Sequence, residues 1–283
     1  ALPISISPPS RASCPSGGVT LGSIYGGGRM GITGIDEDGD MIPDTDPTDP
    51  TKRYGYVTVD VSGGTVGNEN KYLTWMANPD HTSMGDVFGS GKGTRSVDNP
   101  AIHPYDLARV KNAEVTISGT AHVLGNVYGG GELASVGYPV DAEHPYQYAE
   151  NTGLAKDNLS GGQVGIEQIG QPQISIKGGN VYGGGLGLAG GKSVLPFANV
   201  DTTHISISNT AYVIGTVFGG ADNGHVWNGT DIEMTGGTVG QKNVLSEFMI
   251  DSLEQNRNGY IYTGNILAGG RGTATDETDR YND

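Results

Sequence analysis

The chain has 283 residues, and its 49 glycines make up about 17% of them, against about 7% in ordinary soluble proteins. The glycines do not recur at every third position and only 14 prolines accompany them, which excludes a collagen triple helix. The formal net charge of −15 disfavours nucleic acid as a partner, because phosphate binding needs a basic face. The sequence has no run of 18 apolar residues, so we expect no membrane span.

The first 16 residues, ALPISISPPSRASCPS, are predicted to form an extended segment ahead of the repeats. They contain Cys14, which is the single cysteine of the sequence and cannot form an internal disulfide. Residues 17–272 are predicted to form a repeat domain, and residues 273–283 form an acidic tail.

Within residues 17–272 a short glycine-rich phrase recurs six times. The copies are SIYGGG from Ser23, DVFGSG from Asp86, NVYGGG from Asn126, NVYGGG from Asn180, TVFGGA from Thr216 and NILAGG from Asn265. A strand-like run and a turn precede most copies, as in VTISGTAHVLG from Val115, while ISIKGG from Ile174 is a contracted version. The unit therefore predicts a strand, a glycine turn, a short strand, a second turn, another short strand and a glycine corner.

Apolar residues alternate along the first strand of the unit, as Val115 does with Ile117 and Ile205 with Ile207. Period two predicts a strand with one buried face, and corner glycines permit positive φ and close backbone approach. One unit cannot bury its apolar face alone, whereas units stacked at about 4.8 Å would pair every strand with its neighbours. We therefore predict an all-β fold, a right-handed parallel β-helix (β-solenoid) with long loop insertions.

The spacing between the phrases is irregular, which indicates insertions between coils of similar size. The predicted insertions lie near residues 29–54, 68–85, 133–156 and 244–258. Most are predicted to leave after the glycine corner and therefore to lie on one side of the solenoid, where inserted loops often form a binding surface.

The phrases at Asn126 and Asn180 resemble the glycine-rich NVYGGG repeats of proteins secreted by or displayed on Bacteroidota, which look like parallel β-helices of the pectin-lyase-like kind. The resemblance covers residues 17–272, with matches at the strands and corners. It implies an exported protein, extracellular or on the cell surface, and commonly a piece of a larger polypeptide. Its motifs are specific for architecture and weak for activity.

The segment DEDGDMIPD places carboxylates at alternate positions around a glycine that lets the loop curl. A Ca²⁺ ion takes about six to eight oxygen ligands, and the predicted ligands are Asp36, Asp38, Asp40, the Ile42 carbonyl and Asp44. The pattern resembles the calcium loops of thrombospondin type 3 repeats, although Pro47 stands where a closing acidic ligand is expected and Asp46 or Asp49 would have to substitute. A solvated acidic turn is the alternative. Bound calcium would be structural and would pin the first insertion to its coil.

Stacked in a solenoid, one residue of each phrase would form a column at strand spacing. The aromatic members are Tyr25, Phe88, Tyr128, Tyr182 and Phe218, and Leu267 closes the column. The Val or Ile before each of them points to the opposite face if the strand persists. Outward aromatics would make a flat strip that binds sugar rings or a partner chain, whereas inward aromatics would make a core ladder, which we favour.

Signals for catalysis are weak. The six histidines show no metal-ligand spacing; they are His81, His103, His122, His144, His204 and His225. Pectin-lyase-like folds host polysaccharide lyases and hydrolases, for which the nearest candidates are Arg29, Lys92 and Arg271, because each follows a glycine corner and the three could line one edge. Since one fold supports many activities, we assign no catalytic residue and predict a non-enzymatic protein.

The sequence therefore predicts an extracellular or cell-surface, calcium-binding β-solenoid with a structural or adhesive role in a larger surface protein or filament. Its expected partners are copies of itself or other surface-protein modules, with glycans as a further candidate. The alternative is a carbohydrate-binding or carbohydrate-cleaving β-helix.

Overall fold

A computed structural model gives the fold. It describes residues 10–14, 18–20, 22–31, 33–34, 43, 54–67, 85–99, 102–141, 143–144, 146–167, 179–189, 196–240 and 264–272. These residues form three parallel sheets of six strands each. A single 3₁₀ turn in the described ranges, Pro104–Asp106, is the exception to an otherwise all-β chain. The predicted all-β, parallel architecture is confirmed.

Sheet 1 contains the long strands. They are β1 (Ser10–Cys14), β4 (Tyr56–Val61), β7 (Asn112–Ile117), β10 (Leu154–Leu159), β13 (Val200–Ile207) and β16 (Val226–Met234), hydrogen-bonded in this order. Buried and half-exposed residues alternate strictly along β4, as the period-two pattern predicts. One face of sheet 1 is therefore packed inside the molecule.

Sheets 2 and 3 contain two-residue strands. Sheet 2 comprises β2 (Val19–Thr20), β5 (Thr65–Val66), β8 (His122–Val123), β11 (Gln163–Val164), β14 (Tyr212–Val213) and β17 (Thr238–Val239). Sheet 3 comprises β3 (Ile24–Tyr25), β6 (Val87–Phe88), β9 (Val127–Tyr128), β12 (Val181–Tyr182), β15 (Val217–Phe218) and β18 (Ile266–Leu267). Each inner strand pairs in parallel with the equivalent strands of the units before and after it, and the described end strands pair on one side.

We call one long strand and the two short strands after it a coil, so the described residues form six coils. Stacking of coils along three parallel sheets is consistent with a β-helix. In the fourth coil the long strand is β10, whereas the sequence pattern suggested ISIK from Ile174, and residues 168–178 lie outside the described ranges. β10 reads LAKDNL, and its polar Asp157 at an inward position hides the alternation. The predicted insertion near 133–156 therefore overlaps the start of this strand.

The apolar core runs along the inside of all three sheets. Inward residues of sheet 1 (Val59, Val115), sheet 2 (Val123) and sheet 3 (Val127, Val181) belong to one cluster of fully buried side chains. At the glycine corners after sheet 3 the coils approach closely, since a Cβ on Gly129 would lie 2.4 Å from the carbonyl oxygen of Gly183 in the next coil. A coil of this size can therefore stack only with glycine at such corners.

The long connections lie at two places in the coil, after sheet 3 and between sheets 2 and 3. In the third and fifth coils residues 124–126 and 214–216 join sheets 2 and 3, whereas in the second coil the chain between them runs from Gly67 to Asp86. Gly67 (φ 108°) and Gly85 (φ 85°) have left-handed backbones, and a Cβ on Gly67 would lie 2.9 Å from the Cα of Gly85. The insertion near 68–85 therefore begins and ends at a glycine pair ahead of sheet 3, and not after the phrase as most insertions were expected to do.

Candidate functional site

The aromatic residues of the phrase form a stacked column on sheet 3. Neighbouring rings are nearly parallel, with centroids 4.9 Å apart for Tyr25 and Phe88, 4.7 Å for Phe88 and Tyr128, and 4.9 Å for Tyr128 and Tyr182. Phe218 continues the stack at 4.9 Å from Tyr182. The four rings from Phe88 to Phe218 are buried in a cluster of their own, while the valines before them join the main core. Because the ring faces cover one another, these four rings offer no flat strip to a ligand.

A second column lies just after the corner and consists mostly of charged residues. Single parallel bridges connect successive members of this edge column, which are Arg29, Lys92, Glu132, Leu186, Asp222 and Arg271. The three cations that the sequence singled out therefore do line one edge of the coil stack. Two acidic residues that were not predicted from the sequence, Glu132 and Asp222, stand between Lys92 and Arg271.

The charged groups of the edge column bind the hydroxyl groups of the aromatic column. In the first three coils the Lys92 ammonium lies 2.9 Å from a Glu132 carboxylate oxygen and 3.2 Å from the Tyr25 hydroxyl. The Tyr25 hydroxyl also donates to Glu132. This cluster joins three coils, so its polar atoms are engaged in contacts between coils.

A similar cluster closes the other half of the column. The Arg271 guanidinium donates to the Tyr182 hydroxyl over 3.2 Å and lies 4.0 Å from the Asp222 carboxylate. Burial raises the pKa of the Asp222 carboxyl, and the nearby Arg271 charge opposes that shift. The pairing again connects neighbouring coils, here the fourth, fifth and sixth.

Polar residues at the start of the phrase form a ladder of hydrogen bonds along the stack. The backbone N–H of Asn126 donates to Asp86 Oδ1 over 2.7 Å, that of Asn180 to Asn126 Oδ1 over 3.1 Å, and that of Thr216 to Asn180 Oδ1 over 2.9 Å. Asp86 stands where three of the other coils have Asn and two have Ser or Thr, and burial raises the pKa of its carboxyl to about 7. The phrase is thus used for stacking at each of its first three positions.

The histidines do not form a common site in the described part of the chain. His204 pairs with Asp231 at 2.7 Å, His144 pairs with Asp141 at 2.8 Å, and His225 is buried, which lowers its pKa. His122 lines an open depression of about 410 Å³ beside Gln163. His81 lies outside the described ranges.

The predicted calcium loop lies outside the described residues, including Asp36, Asp38, Asp40, Ile42 and Asp44. Among the residues that are described, no group of three or more His, Cys, Asp or Glu side chains could hold a metal ion. Pro43 is described and buried, and its carbonyl oxygen accepts a hydrogen bond of 3.0 Å from the Lys111 ammonium. Calcium binding stays a prediction, while the contact at Pro43 attaches this insertion to the third coil.

The most unusual polar residue of the molecule, Asp157, was not predicted from the sequence. Its side chain is fully buried on the inner face of β10, and neither carboxylate oxygen has a hydrogen-bond partner. Its signal in the sequence is weak, because an Asp in the run LAKDNL reads as an exposed position. Burial raises its pKa well above the usual range.

Comparisons with known proteins add no relative: no family model matches the chain, and neither a curated protein nor a solved structure matches it. The resemblance to the glycine-rich repeats therefore stays a prediction. Within the described ranges, no helix is long and apolar enough to cross a membrane.

Proposed function

We propose that this protein is an extracellular or cell-surface β-solenoid with a structural or adhesive role, a module of a larger surface protein or filament. The observation that carries the proposal is that the phrase residues, and the residue that follows each phrase, make contacts between coils. The aromatic column, the edge column and the polar ladder each run through several coils, and their described polar groups pair mainly with groups of neighbouring coils. Side chains committed to stacking support a scaffold better than a reaction centre.

The proposal includes a right-handed winding of the coils, which the general rule for parallel crossovers supports. It also includes structural calcium in the first insertion. The buried Pro43 and its hydrogen bond to Lys111 support this part, because they hold one point of the insertion against the third coil. A cation bound by the neighbouring carboxylates would then order the loop on a fixed anchor.

A polysaccharide-active β-helix is the competing function, and the edge column would be its catalytic edge. The test is a panel of acidic and neutral polysaccharides, measuring binding and the release of new reducing or unsaturated ends. We expect no turnover by the wild-type chain, and antibody labelling at the surface of intact cells that produce it.

Two variants make the outcome specific. Lys92→Ala removes a cation of the edge column, and Arg95→Ala removes an exposed cation outside it. Polysaccharide cleavage that Lys92→Ala abolishes and Arg95→Ala retains would overturn the structural proposal in favour of the enzyme. Labelling confined to the cell interior would overturn the surface location.

A further inference from the structure

Asp157 occupies a position that is apolar in the other coils. Register places it in one inward column of sheet 1 with Ala12, Val59, Val115, Ile205 and Ile232. Its exposure is 0%, and both carboxylate oxygens lack a hydrogen-bond partner. A carboxyl group in this place needs a physical explanation, because an uncompensated buried charge is strongly destabilising.

The surroundings of Asp157 contain no charge to balance an ionised carboxylate. Val115 of β7 and Ile205 of β13 lie on either side in register, Gly129 faces it from the corner, and Ala155 and Leu159 share its face of β10. None of these described neighbours titrates. Lys156 and Asn158 flank Asp157 but belong to the alternate, half-exposed positions of β10.

In each of the next two coils a threonine hydroxyl bonds the corner carbonyl, whereas the second and third coils have Val57 and Ala113 at that register position. The Thr203 hydroxyl donates to the Gly219 carbonyl over 2.7 Å, and the Thr230 hydroxyl donates to the Ala268 carbonyl over 2.7 Å. In β10 the register partner of Thr203 is Ala155, which has no hydroxyl. The equivalent carbonyl in the fourth coil is that of Gly183, since Tyr182 pairs with Phe218.

Asp157 lies close to that carbonyl. A Cβ built on Gly129 would be 2.4 Å from the Gly183 oxygen and 2.8 Å from Asp157 Oδ2. Both oxygens therefore border the same small space at the corner. Two oxygen acceptors can form a hydrogen bond there only if one of them carries a proton.

We propose that Asp157 is a neutral carboxylic acid in the folded protein and donates its proton to the Gly183 carbonyl, replacing the threonine hydroxyl of the next two coils. The proton on Asp157 therefore supplies the hydrogen bond at the corner of the fourth coil. This inference goes beyond the proposed function and does not depend on it.

The proposal has a defined pH dependence. An aspartate in the unfolded chain ionises near pH 3.9, whereas the folded carboxyl keeps its proton to higher pH. The contribution of this carboxyl to the free energy of unfolding is therefore fully present below the unfolded pKa. It falls as pH rises towards the folded pKa. Asp86 and Asp222 are buried acids with raised pKa values, so they contribute in the same direction and must be controlled.

The test compares the wild-type chain with Asp157→Asn, which retains a donor of the same shape but does not titrate. Denaturant unfolding is measured between pH 5 and pH 8, together with the infrared carbonyl band of protonated carboxylic acids. We expect the pH dependence of the unfolding constant to be weaker in Asp157→Asn by up to about tenfold per pH unit. We also expect part of the acid band at neutral pH to disappear.

Asp86→Asn is the matched control, because it removes a different buried acid and should leave the Asp157 contribution intact. Asp157→Val provides a second variant that fits the apolar column, and it should abolish the same pH dependence. An unchanged pH dependence and an unchanged acid band in both Asp157 variants would overturn the proposal.

Discussion

The third coil and the sixth coil each contain a copy of the phrase, but the equivalent glycine has different surroundings in the two copies. A Cβ on Gly130 would lie 2.6 Å from the backbone nitrogen of Gly185, whereas a Cβ on the equivalent Gly269 would meet no atom of the described residues within 4 Å. Neither glycine has a left-handed backbone. The coil stacked above, and not the turn itself, therefore creates the need for glycine in the phrase.

Ala268 leads to the same conclusion. At this position the five other phrases have glycine, and a Cβ on Gly219 would lie 2.3 Å from the carbonyl oxygen of Ala268 in the last coil. A seventh coil with the same geometry would bring its own carbonyl equally close to the Ala268 methyl group. Any module that follows the sixth coil must therefore use a contact different from the coil-to-coil stacking inside the molecule.

The same side chain placed in both coils tests whether the neighbouring coil or the turn requires glycine. Gly130→Val should destabilise the protein by at least about 4 kcal/mol or prevent folding, because rigid backbone stands where the side chain must go. Gly269→Val should change the free energy of unfolding by less than about 0.5 kcal/mol. Denaturant unfolding measures both values. Similar losses in the two variants would show that the turn itself, and not the neighbouring coil, requires glycine.

Residues in the middle and at the end of the aromatic column differ in burial. Tyr182 is fully buried between two rings, while Leu267 at the end of the column is 43% exposed. Tyr182→Ala should cost about 3 kcal/mol through lost burial and a cavity, and Leu267→Ala about 1 kcal/mol or less. Unfolding curves of both variants check the prediction, with Tyr182→Phe as the control that retains the ring. Equal losses at the two positions would contradict the burial argument.

Much of the fold could be predicted from the sequence, because the repeated phrases reveal the pattern of strands and corners. Six phrases with alternating Val and Ile before them predicted the parallel strands, the stacked aromatic column and the edge lined by Arg29, Lys92 and Arg271. The fourth long strand was missed since Asp157 breaks the alternation within it. The pairing partners Glu132 and Asp222 could not be foreseen, because register between distant segments decides which side chains meet.

The first insertion allows a comparison between a loop and the coil that anchors it. If Asp36 to Asp44 bind Ca²⁺, the ion should stabilise the folded chain by about 1.4 kcal/mol at a concentration ten times its Kd. The double variant Asp38→Asn/Asp40→Asn should lose this stabilisation, whereas Asp98→Asn, which removes an exposed acid elsewhere, should keep it. Calorimetric titration and thermal unfolding with and without a chelator measure the effect. Equal calcium responses in all three proteins would contradict the loop assignment.

The smallest expected difference concerns the two charged clusters of the edge column, one around Lys92 and one around Arg271. Lys92 bonds both Glu132 and the Tyr25 hydroxyl, and the Glu132 side chain is only 14% exposed, so Lys92→Met leaves two partly buried polar groups without their cation. We expect a loss of about 1 kcal/mol, since partly buried charge pairs exceed the value of exposed ones.

Arg271 is half exposed and stands 4.0 Å from Asp222, so Arg271→Met should cost less, about 0.5 kcal/mol, and its effect should shrink as salt is added. Unfolding at low and high salt separates the two variants. A larger loss at Arg271 would mean that the last coil depends on its charge pair more than the first coils do, which its greater exposure argues against.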